Sequence, residues 1–327
     1  MATIKDVAKE AGVSITTVSR VMNKRGYISD GTNEKVLNAI KKLDYHPNFR
    51  AKAFSSKRTN IIGLILPNCA HPFFGEMIMY IEKYAFERGY TVMLCNSIND
   101  SDKERYFIRM LQEKRVDGLI MGSHNLDTQD YAMVKNPIIT FERYINNQIP
   151  YVTCDNYTGG ILATQHLVDK GCKHLLFISG NLKLEIYANQ RLNAFKHICE
   201  QAEVTYEVVS RENRNMNYTN EYKFVEEELG HKLEEFDGVF CSSDMIALAM
   251  SHYCDQVGIS VPKNLKIIGF DNNTMTKSTQ RNKLTTIAQP VDKICKALVI
   301  NLIKCIEGDE DIINVQLGVE LVEGDTT

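Results

Sequence analysis

The sequence of 327 residues lacks any apolar run near the roughly 18 residues that a membrane-spanning helix needs. Its first residues, "MATIKDVAKEAG", lack the apolar core that a signal peptide carries. These absences argue against a membrane protein and against an exported one. We therefore expect a chain that works in the cytoplasm and makes no membrane contact.

Motifs for metal binding and for catalysis are also missing. The nine cysteines are scattered, without a C-x-x-C pair or a Cys/His cluster at zinc spacing, which predicts buried free thiols and no metal site. The sequence has no phosphate-binding glycine loop and no nucleophile elbow. We expect a chain that is not an enzyme and that needs no cofactor.

Positive charge is concentrated near the amino terminus. Residues 1–60 contain twelve Lys and Arg against five Asp and Glu, whereas the other 267 residues contain 26 basic and 36 acidic ones. A basic head on an acidic body indicates that the head binds a polyanion such as DNA. A basic terminus alone is as often a solvated face, so this reading needs a supporting motif.

The head contains the pattern of a helix-turn-helix. Apolar spacing predicts one helix after Thr3, a candidate N-cap, and Gly12 can end it. Ser14 can begin a second helix by accepting from the backbone of Thr16 or Thr17. In this motif the second helix enters the major groove, where threonine can contact a base edge and arginine can grip guanine.

A third helix is predicted from Asp30 to Leu43, and its expected buried stripe is Val36, Leu37, Ala39, Ile40 and Leu43. Polar side chains around its start are suited to bond phosphate oxygens. A cap or surface role remains the alternative for the hydroxyl side chains. The head residues predicted to contact DNA are Thr3, Ser14, Ile15, Thr16, Thr17, Ser19, Arg20, Asn23, Tyr27 and Thr32.

Three stretches, "TIKDVAKEAGVSITTVSRVMN", "YHPN" and "NIIGLILPN", resemble the lactose/galactose repressor family of bacterial transcription regulators. The resemblance implies that the basic linker after the head folds into a hinge helix on DNA, where a leucine of an A-R-x-L pattern enters the minor groove. This chain has Phe54 at that position, a side chain also able to act as a wedge, or to pack against the body instead. The hinge residues predicted to contact DNA are Asn48, Ala51, Lys52 and Phe54.

The body alternates strand-length apolar runs with amphipathic helical stretches, which predicts parallel sheets flanked by helices. One series covers residues 61–141, and a second begins at "YVTCDN". The predicted fold is a small all-α helix-turn-helix head plus a two-lobed α/β body with two doubly wound parallel sheets, like a periplasmic binding protein. The predicted domains are the head at 1–46, the hinge at 47–60, and an effector-binding and dimerisation body at 61–327.

Ligands of open α/β sheets bind beyond the carboxyl ends of the strands, so polar residues there are candidates for an effector site. Carboxylates, amides and aromatic faces suit a polyhydroxylated ligand such as a sugar. Asp155 and Asp244 also stand where helix N-caps belong, and this alternative stays open. The predicted effector contacts from strand ends are Asn68, His71, Phe73, Phe74, Ser123, Phe141, Arg143, Asn181, Asp244 and Asp271.

The family resemblance adds Arg191, from "QRLNAF", and implies ligand contacts for Asp271 of "GFDN" and for Phe73 and Phe74 of "HPFF". Within the family, "LPNCAHPFFGEM" and "DNYTGG" resemble the sucrose and fructo-oligosaccharide operon repressors.

The partners expected are double-stranded operator DNA, a sugar or sugar-phosphate effector, and a second copy of the chain, since a palindromic operator mirrors a two-fold dimer. The alternative is a catabolite-control regulator whose corepressor is a phosphorylated carrier protein.

Overall fold

A computed structural model describes residues 2–22, 26–45, 58–98, 100–131, 134–211, 217–278, 283–309, 311 and 313–327. The chain forms two compact units, residues 1–59 and residues 60–327. The predicted DNA contacts Asn23, Asn48, Ala51, Lys52 and Phe54 lie outside the described residues. No helix in the described part is long and apolar enough to cross a membrane.

The described residues of the head unit form three helices, α1 (Ile4–Ala11), α2 (Ile15–Met22) and α3 (Asp30–Lys42). The Thr3 side chain accepts from the backbone of Asp6, and the Asp6 carboxylate accepts from the Thr3 backbone, which completes a capping box on α1. Ser14 Oγ accepts from the Thr17 backbone N–H at 3.1 Å and caps α2. The local sequence therefore defines where both helices begin.

A small apolar core joins the three helices of the head. Val7, Val18 and Val36, one from each helix, are fully buried. The predicted stripe of α3 was wrong at Leu37, which is 52% exposed. Adjacent helical positions point about 100° apart, so Val36 and Leu37 cannot both face a core this narrow.

Gly12 ends α1 with φ 63°, in the left-handed region. Gly12→Ala should destabilise the head by about 1 kcal/mol, because an L side chain is strained there. Gly31→Ala is the matched control, since an added Cβ at Gly31 of α3 meets no atom within 4 Å and alanine favours helix. Native-state hydrogen exchange of head amides measures both variants, and equal protection in Gly12→Ala and wild type would contradict the prediction.

The body unit forms two six-stranded sheets in the part of it that the structure describes. Its elements in chain order are β1 (Ile61–Leu66), α4 (Pro72–Phe86), β2 (Thr91–Asn96), α5 (Ser101–Gln112), β3 (Gly118–Met121), β4 (Ile138–Phe141), β5 (Tyr151–Cys154), α6 (Asn156–Asp169), β6 (His174–Ser179), α7 (Gln190–Gln201), β7 (Thr205–Ser210), α8 (Tyr218–Phe224), β8 (Gly238–Cys241), α9 (Asp244–Val257), β9 (Lys266–Asp271), α10 (Thr274–Ser278), β10 (Thr285–Ala288), α11 (Val291–Glu307), β11 (Val315–Leu317) and β12 (Glu320–Val322).

The first sheet has the strand order β11-β5-β4-β3-β1-β2, and the second has β12-β10-β9-β8-β6-β7. Every pairing is parallel except that of β10 with β12. The strands in the middle of the sheets, β3, β4 and β8, are buried along their whole length, as expected when helices cover both faces of a parallel sheet. The predicted α/β body with two doubly wound sheets is confirmed.

The assignment of β5 to the second strand series was wrong. β5 pairs with β4 in the first sheet, and the chain crosses to the second lobe only after it, through α6. The chain then returns through α11, which packs on α4 and on strands of the first sheet. The first lobe is therefore completed by residues from the end of the chain, and neither α11 nor the strands around it were predicted.

Apolar side chains of both lobes form one buried cluster that includes Ile62, Phe177 and Leu298. The nine cysteines are free thiols, and seven of them are buried. This arrangement agrees with the prediction of cysteines as small apolar core residues.

Candidate functional site

The outer face of α2 carries the head residues predicted to contact DNA. Ile15, Thr16 and Arg20 are exposed, whereas Thr17 and Ser19 are half-buried. The Thr17 hydroxyl bonds Ser14 Oγ at 2.9 Å. This face therefore presents one long cation among short side chains, which lets a helix backbone approach base pairs closely.

The other predicted head contacts lie around the helix starts. Tyr27, before α3, is 95% exposed. The Thr32 hydroxyl bonds Ser29 Oγ at 2.9 Å, and the Thr3 hydroxyl donates to Asp6 Oδ2 at 2.7 Å. An exposed phenol and hydroxyls at helix N-termini are groups that bind phosphate oxygens in protein–DNA contacts.

The body contains a cavity of about 220 Å³ at the carboxyl ends of its strands. Segments that follow β1, β3 and β4 line it from the first lobe, and segments that follow β6, β8 and β9 line it from the second. This is where open parallel sheets place their ligands. The predicted effector contacts that line it are His71, Phe73, Phe74, Ser123, Phe141, Asn181, Arg191 and Asp271.

Arg191 lies at the start of α7 and is held in place by three contacts. Its Nε donates to Asn156 Oδ1 at 2.8 Å, and its Nη1 donates to the Ser242 carbonyl at 2.7 Å. Its guanidinium carbon lies 3.5 Å from the centroid of the Phe270 ring. Cation–π contact and hydrogen bonds together fix the plane of the guanidinium.

The close packing of α6 on α7 depends on Gly160. A Cβ at this position would lie 2.7 Å from Ala194 Cβ and 2.7 Å from the Arg191 carbonyl oxygen. The absence of a side chain therefore lets α6 support the turn of α7 that carries Arg191.

Two buried carboxylates lie beside Arg191. Glu142 Oε1 accepts from Thr153 Oγ1 at 2.8 Å, and its Oε2 accepts from Asn156 Nδ2 at 2.7 Å. Asp271 Oδ1 accepts from Gln289 Nε2 at 2.8 Å. Burial raises the pKa of Glu142 and of Asp271, and the charge of Arg191 opposes both rises. Asn156 thus connects a carboxylate of the first lobe to the arginine of the second.

Aromatic rings form the wall on the first lobe. Phe73 stacks on Phe141 with centroids 5.9 Å apart, and Phe74 meets Phe73 edge-on at 5.4 Å. His71 packs against Phe74, and burial lowers the pKa of His71 to about 4, so this side chain is neutral at physiological pH. An uncharged aromatic wall opposite polar groups matches the two kinds of surface that a sugar presents.

Three predicted effector residues do not line the cavity. Arg143 Nη1 donates to the Leu126 carbonyl at 2.7 Å, and Asn68 Oδ1 accepts from the Ala70 backbone at 2.9 Å, so both organise loops of the first lobe. Asp244 is fully buried, and its carboxylate accepts from the hydroxyls of Thr286 and Thr276 and from the Asn273 backbone.

Of the two candidate N-caps, Asp155 caps a helix and Asp244 does not. Asp155 accepts from the Thr158 backbone at 3.0 Å and caps α6, as its alternative reading predicted. The cap of α9 is Ser243, whose hydroxyl accepts from the Ile246 backbone. Asp244 instead connects the start of α9 to the turn after β9 and to β10.

Sequence reasoning missed several lining residues. Glu142 and Arg211 directly follow β4 and β7, so the same rule of strand ends could have found them. Glu221 lies on α8, where no strand end marks it. Among the described residues, no group of three or more His, Cys, Asp and Glu side chains is placed to hold a metal ion.

The raised pKa of Glu221 makes the stability of the protein depend on pH. Burial raises its pKa from 4.5 to about 7, against the opposing charge of Arg211. Between pH 4.5 and pH 7 the folded chain binds more protons at this site than the unfolded chain, so stability falls as pH rises through this window. The loss amounts to about 3 kcal/mol for one residue and is constant at higher pH.

Glutamine imitates the protonated carboxyl, so we expect the stability of wild type relative to Glu221→Gln to decrease as pH rises from 5 to 8. Urea denaturation at several pH values measures this difference, in which the titrations of the other acids cancel. Glu228→Gln, at an exposed glutamate of the following turn, is the control and should give a difference independent of pH. The prediction fails if both variants behave alike.

Comparison with known proteins gives matches to both units. Residues 3–48 match the lacI family of bacterial regulatory proteins, and residues 164–327 match the periplasmic binding protein-like domain. The sucrose operon repressor of Streptococcus mutans is 38% identical over 330 residues, which cover 100% of this chain and 99% of that protein.

Solved structures agree with this assignment. A periplasmic binding protein/LacI transcriptional regulator from Alkaliphilus metalliredigens, complexed with D-xylulofuranose, is 32% identical with a TM-score of 0.74 and covers 82% of this chain and 99% of its own. The lac repressor dimer bound to operator and the anti-inducer ONPF shares the fold, with 24% identity, a TM-score of 0.86 and coverage of 100% and 99%. The chain belongs to the lacI family of bacterial regulatory proteins, with a DNA-binding helix-turn-helix head and a periplasmic-binding-protein-like body.

Proposed function

We propose that the chain is a homodimeric, cytoplasmic repressor of a sugar-utilisation operon, and that a neutral sugar in the body cavity controls its affinity for operator DNA. Residues 1–46 read the operator, residues 47–60 form the hinge, and residues 61–327 bind the effector and the second copy. The observation that carries this proposal is the buried Arg191, which is held by Asn156, by the Ser242 carbonyl and by the Phe270 ring in a cavity that Asp271 and aromatic rings also line.

The chemistry of the cavity supports a sugar. Vicinal hydroxyls can donate to the Asp271 carboxylate and accept from the Arg191 guanidinium, while C–H faces pack on Phe73 and Phe74. The relatives point to the same class of ligand, since the Streptococcus mutans protein is named for the sucrose operon and the Alkaliphilus structure holds D-xylulofuranose.

Charge favours a neutral sugar over a sugar phosphate. The acidic residues among the described cavity lining are Glu142, Glu221 and Asp271, against the two arginines Arg191 and Arg211. Each arginine already bonds protein groups. A phosphate brought into this cavity would lose its hydration beside Glu142, Glu221 and Asp271, where burial already opposes negative charge, and this is unfavourable.

Control of DNA binding follows from the position of the cavity between the lobes. A ligand that contacts both lobes favours one angle between them, and this angle sets the separation of the two hinges of a dimer. The resulting coupling free energy is typically about 1 to 3 kcal/mol, which is a change of about 5- to 150-fold in operator affinity. The lac repressor structure, a dimer on its operator, supports this arrangement.

The test uses the full-length chain. Duplexes that it prefers are first selected from a random pool, and their binding is then titrated with neutral sugars, with the corresponding sugar phosphates, and with a phosphorylated carrier protein. We expect a neutral sugar to change operator affinity at least 5-fold and to raise the melting temperature. A response to sugar phosphates alone would refute the neutral effector, and a response to the carrier protein alone would favour the catabolite-control alternative.

A further inference from the structure

Residues 181–189, between β6 and α7 of the second lobe, form a short segment that we call the strap. Asn181 Oδ1 accepts from the Lys183 backbone at 2.9 Å, and Asn189 Nδ2 donates to two carbonyls within the strap. Every side chain of the strap is exposed or half-buried. The strap thus keeps its own shape, while packing holds it less firmly than it holds a core segment.

The strap separates the cavity from an outer groove. Leu184, Ile186 and Asn189 line the cavity, and the same three residues line the outer groove, together with Tyr144 and Tyr187. Since these residues border both spaces, the strap is the partition between them. Displacement of the strap would join the cavity to the outer groove.

Tyr187 attaches the strap to the first lobe. Its backbone N–H donates to the Glu142 carbonyl at 2.8 Å, and its ring lies on the ring of Tyr151 with centroids 4.8 Å apart. Burial and a hydrogen bond with Tyr151 raise the pKa of Tyr187, so its phenol stays protonated at neutral pH. Tyr144 meets Tyr151 edge-on at 6.3 Å. Three aromatic rings therefore join the strap to the first lobe.

The backbone that receives Tyr187 is strained. Glu142 has φ 62°, in the left-handed region that residues with a side chain rarely adopt. Its carboxylate is held by Thr153 and Asn156, which keeps the residue in place. Strained residues of this kind cluster at ligand clamps and switch regions, which supports a functional role for the contact with Tyr187.

We propose that the strap is a gate, and that the contact of Tyr187 with Glu142 and Tyr151 must open before a ligand can pass between the outer groove and the cavity. Opening of this contact then limits the rates at which a ligand enters and leaves. The inference goes beyond the proposed function, because it concerns the route into the cavity and applies to any ligand that binds there.

Chemical modification of His71 tests the gate without a ligand. His71 lines the cavity, is 4% exposed and is neutral at pH 7, so its imidazole reacts once a reagent reaches it. The probe is diethyl pyrocarbonate, which is similar in size to a hexose, and mass spectrometry of peptides from the full-length chain gives the rate at each histidine. We expect Tyr187→Ala to raise the rate at His71 at least about 10-fold, because the ring pair with Tyr151 and its buried area are lost.

The rate at His197, an exposed histidine of α7, should stay within about 2-fold of wild type, which verifies that the variant is folded. Tyr106→Ala, which removes an exposed tyrosine of α5, is the matched control and should leave His71 slow. A rate at His71 that is unchanged in Tyr187→Ala, or raised equally in Tyr106→Ala, would overturn the gate. Either result leaves the proposed function intact, since that function rests on Arg191.

Hydrogen exchange of the wild-type chain tests the same contact without a substitution. The Tyr187 amide is bonded to Glu142, so it exchanges when the strap leaves the first lobe. We expect this exchange to be independent of urea below the unfolding transition, as local opening is, whereas exchange at the buried Phe177 of β6 should accelerate with urea. Equal urea dependence at Tyr187 and Phe177 would show that the strap opens only when the body unfolds, and would overturn the gate.

Discussion

Replacing Arg191 with alanine is expected to abolish the effector response while leaving operator binding in place. A guanidinium has five N–H donors, and its contacts with Asn156 and Ser242 use two of them, so others remain for ligand hydroxyls. Hydrogen bonds to a charged group contribute about 1.5–3 kcal/mol each. The loss of two such bonds lowers sugar affinity by more than about 100-fold.

Two further variants separate ligand contact from folding. Arg191→Ala removes the positive charge that opposes the raised pKa of Glu142 and of Asp271, and this change lowers stability. Arg191→Lys keeps the charge but lacks the planar fork, so it should remain folded and still lose the response. Arg105→Ala, at an exposed arginine that pairs with Asp102, is the control and should respond normally.

Operator titration with and without sugar measures the effect. The operator affinity measured without sugar should agree within about 3-fold between wild type and Arg191→Lys. A normal sugar response in Arg191→Lys would show that the effector does not need the planar guanidinium. A normal response in Arg191→Ala would show that Arg191 does not contact the effector.

The periodic parts of the body were predictable because their signal is local. A buried parallel strand reads as a short apolar run, and a helix that covers it reads as an amphipathic stretch, so β1 and α9 were found close to their observed bounds. The polar residues after these runs lined the cavity in most cases, since the carboxyl ends of parallel strands meet at one edge.

The assignment of strands to lobes was not predictable in the same way. The run "YVTC" of β5 looks the same whichever sheet it joins, and only pairing with β4 and β11 places it in the first. Pairing with a strand more than 150 residues further along the chain leaves no trace in local periodicity.

The local sequence pattern also does not predict in which direction a side chain points after a strand. Asp244 follows the β8 run as a ligand-binding residue would, but its carboxylate turns inward to donors on Thr276 and Thr286, which are 32 and 42 residues away. Glu221 shows the reverse case. It lies on a helix, where no strand end marks it, and yet it lines the cavity and forms an ion pair with Arg211.

Replacing Arg20 with alanine is expected to lower affinity for the selected operator by about 30-fold to 2 × 10⁴-fold. Arg20 is exposed in the last turn of α2. A bidentate contact between arginine and guanine contributes about 1–3 kcal/mol, and a dimer on a palindrome makes this contact twice. Binding to random duplex should fall much less, because phosphate contacts dominate it.

Lys41→Ala provides the matched control for the lost charge. Lys41 is an exposed lysine in the last turn of α3, so its removal takes away the same charge from the head without touching α2. We expect it to weaken selected and random duplexes by similar factors. Sugar binding should be unchanged in both variants, since the cavity lies entirely within the body unit.

Competition titrations of both variants give the specificity ratio, which is the affinity for the selected operator divided by the affinity for random duplex. Loss of a base contact lowers this specificity ratio, whereas loss of a phosphate contact lowers both affinities together. An unchanged ratio in Arg20→Ala would therefore assign Arg20 to the DNA backbone and would leave the short side chains of α2 as the readers of sequence.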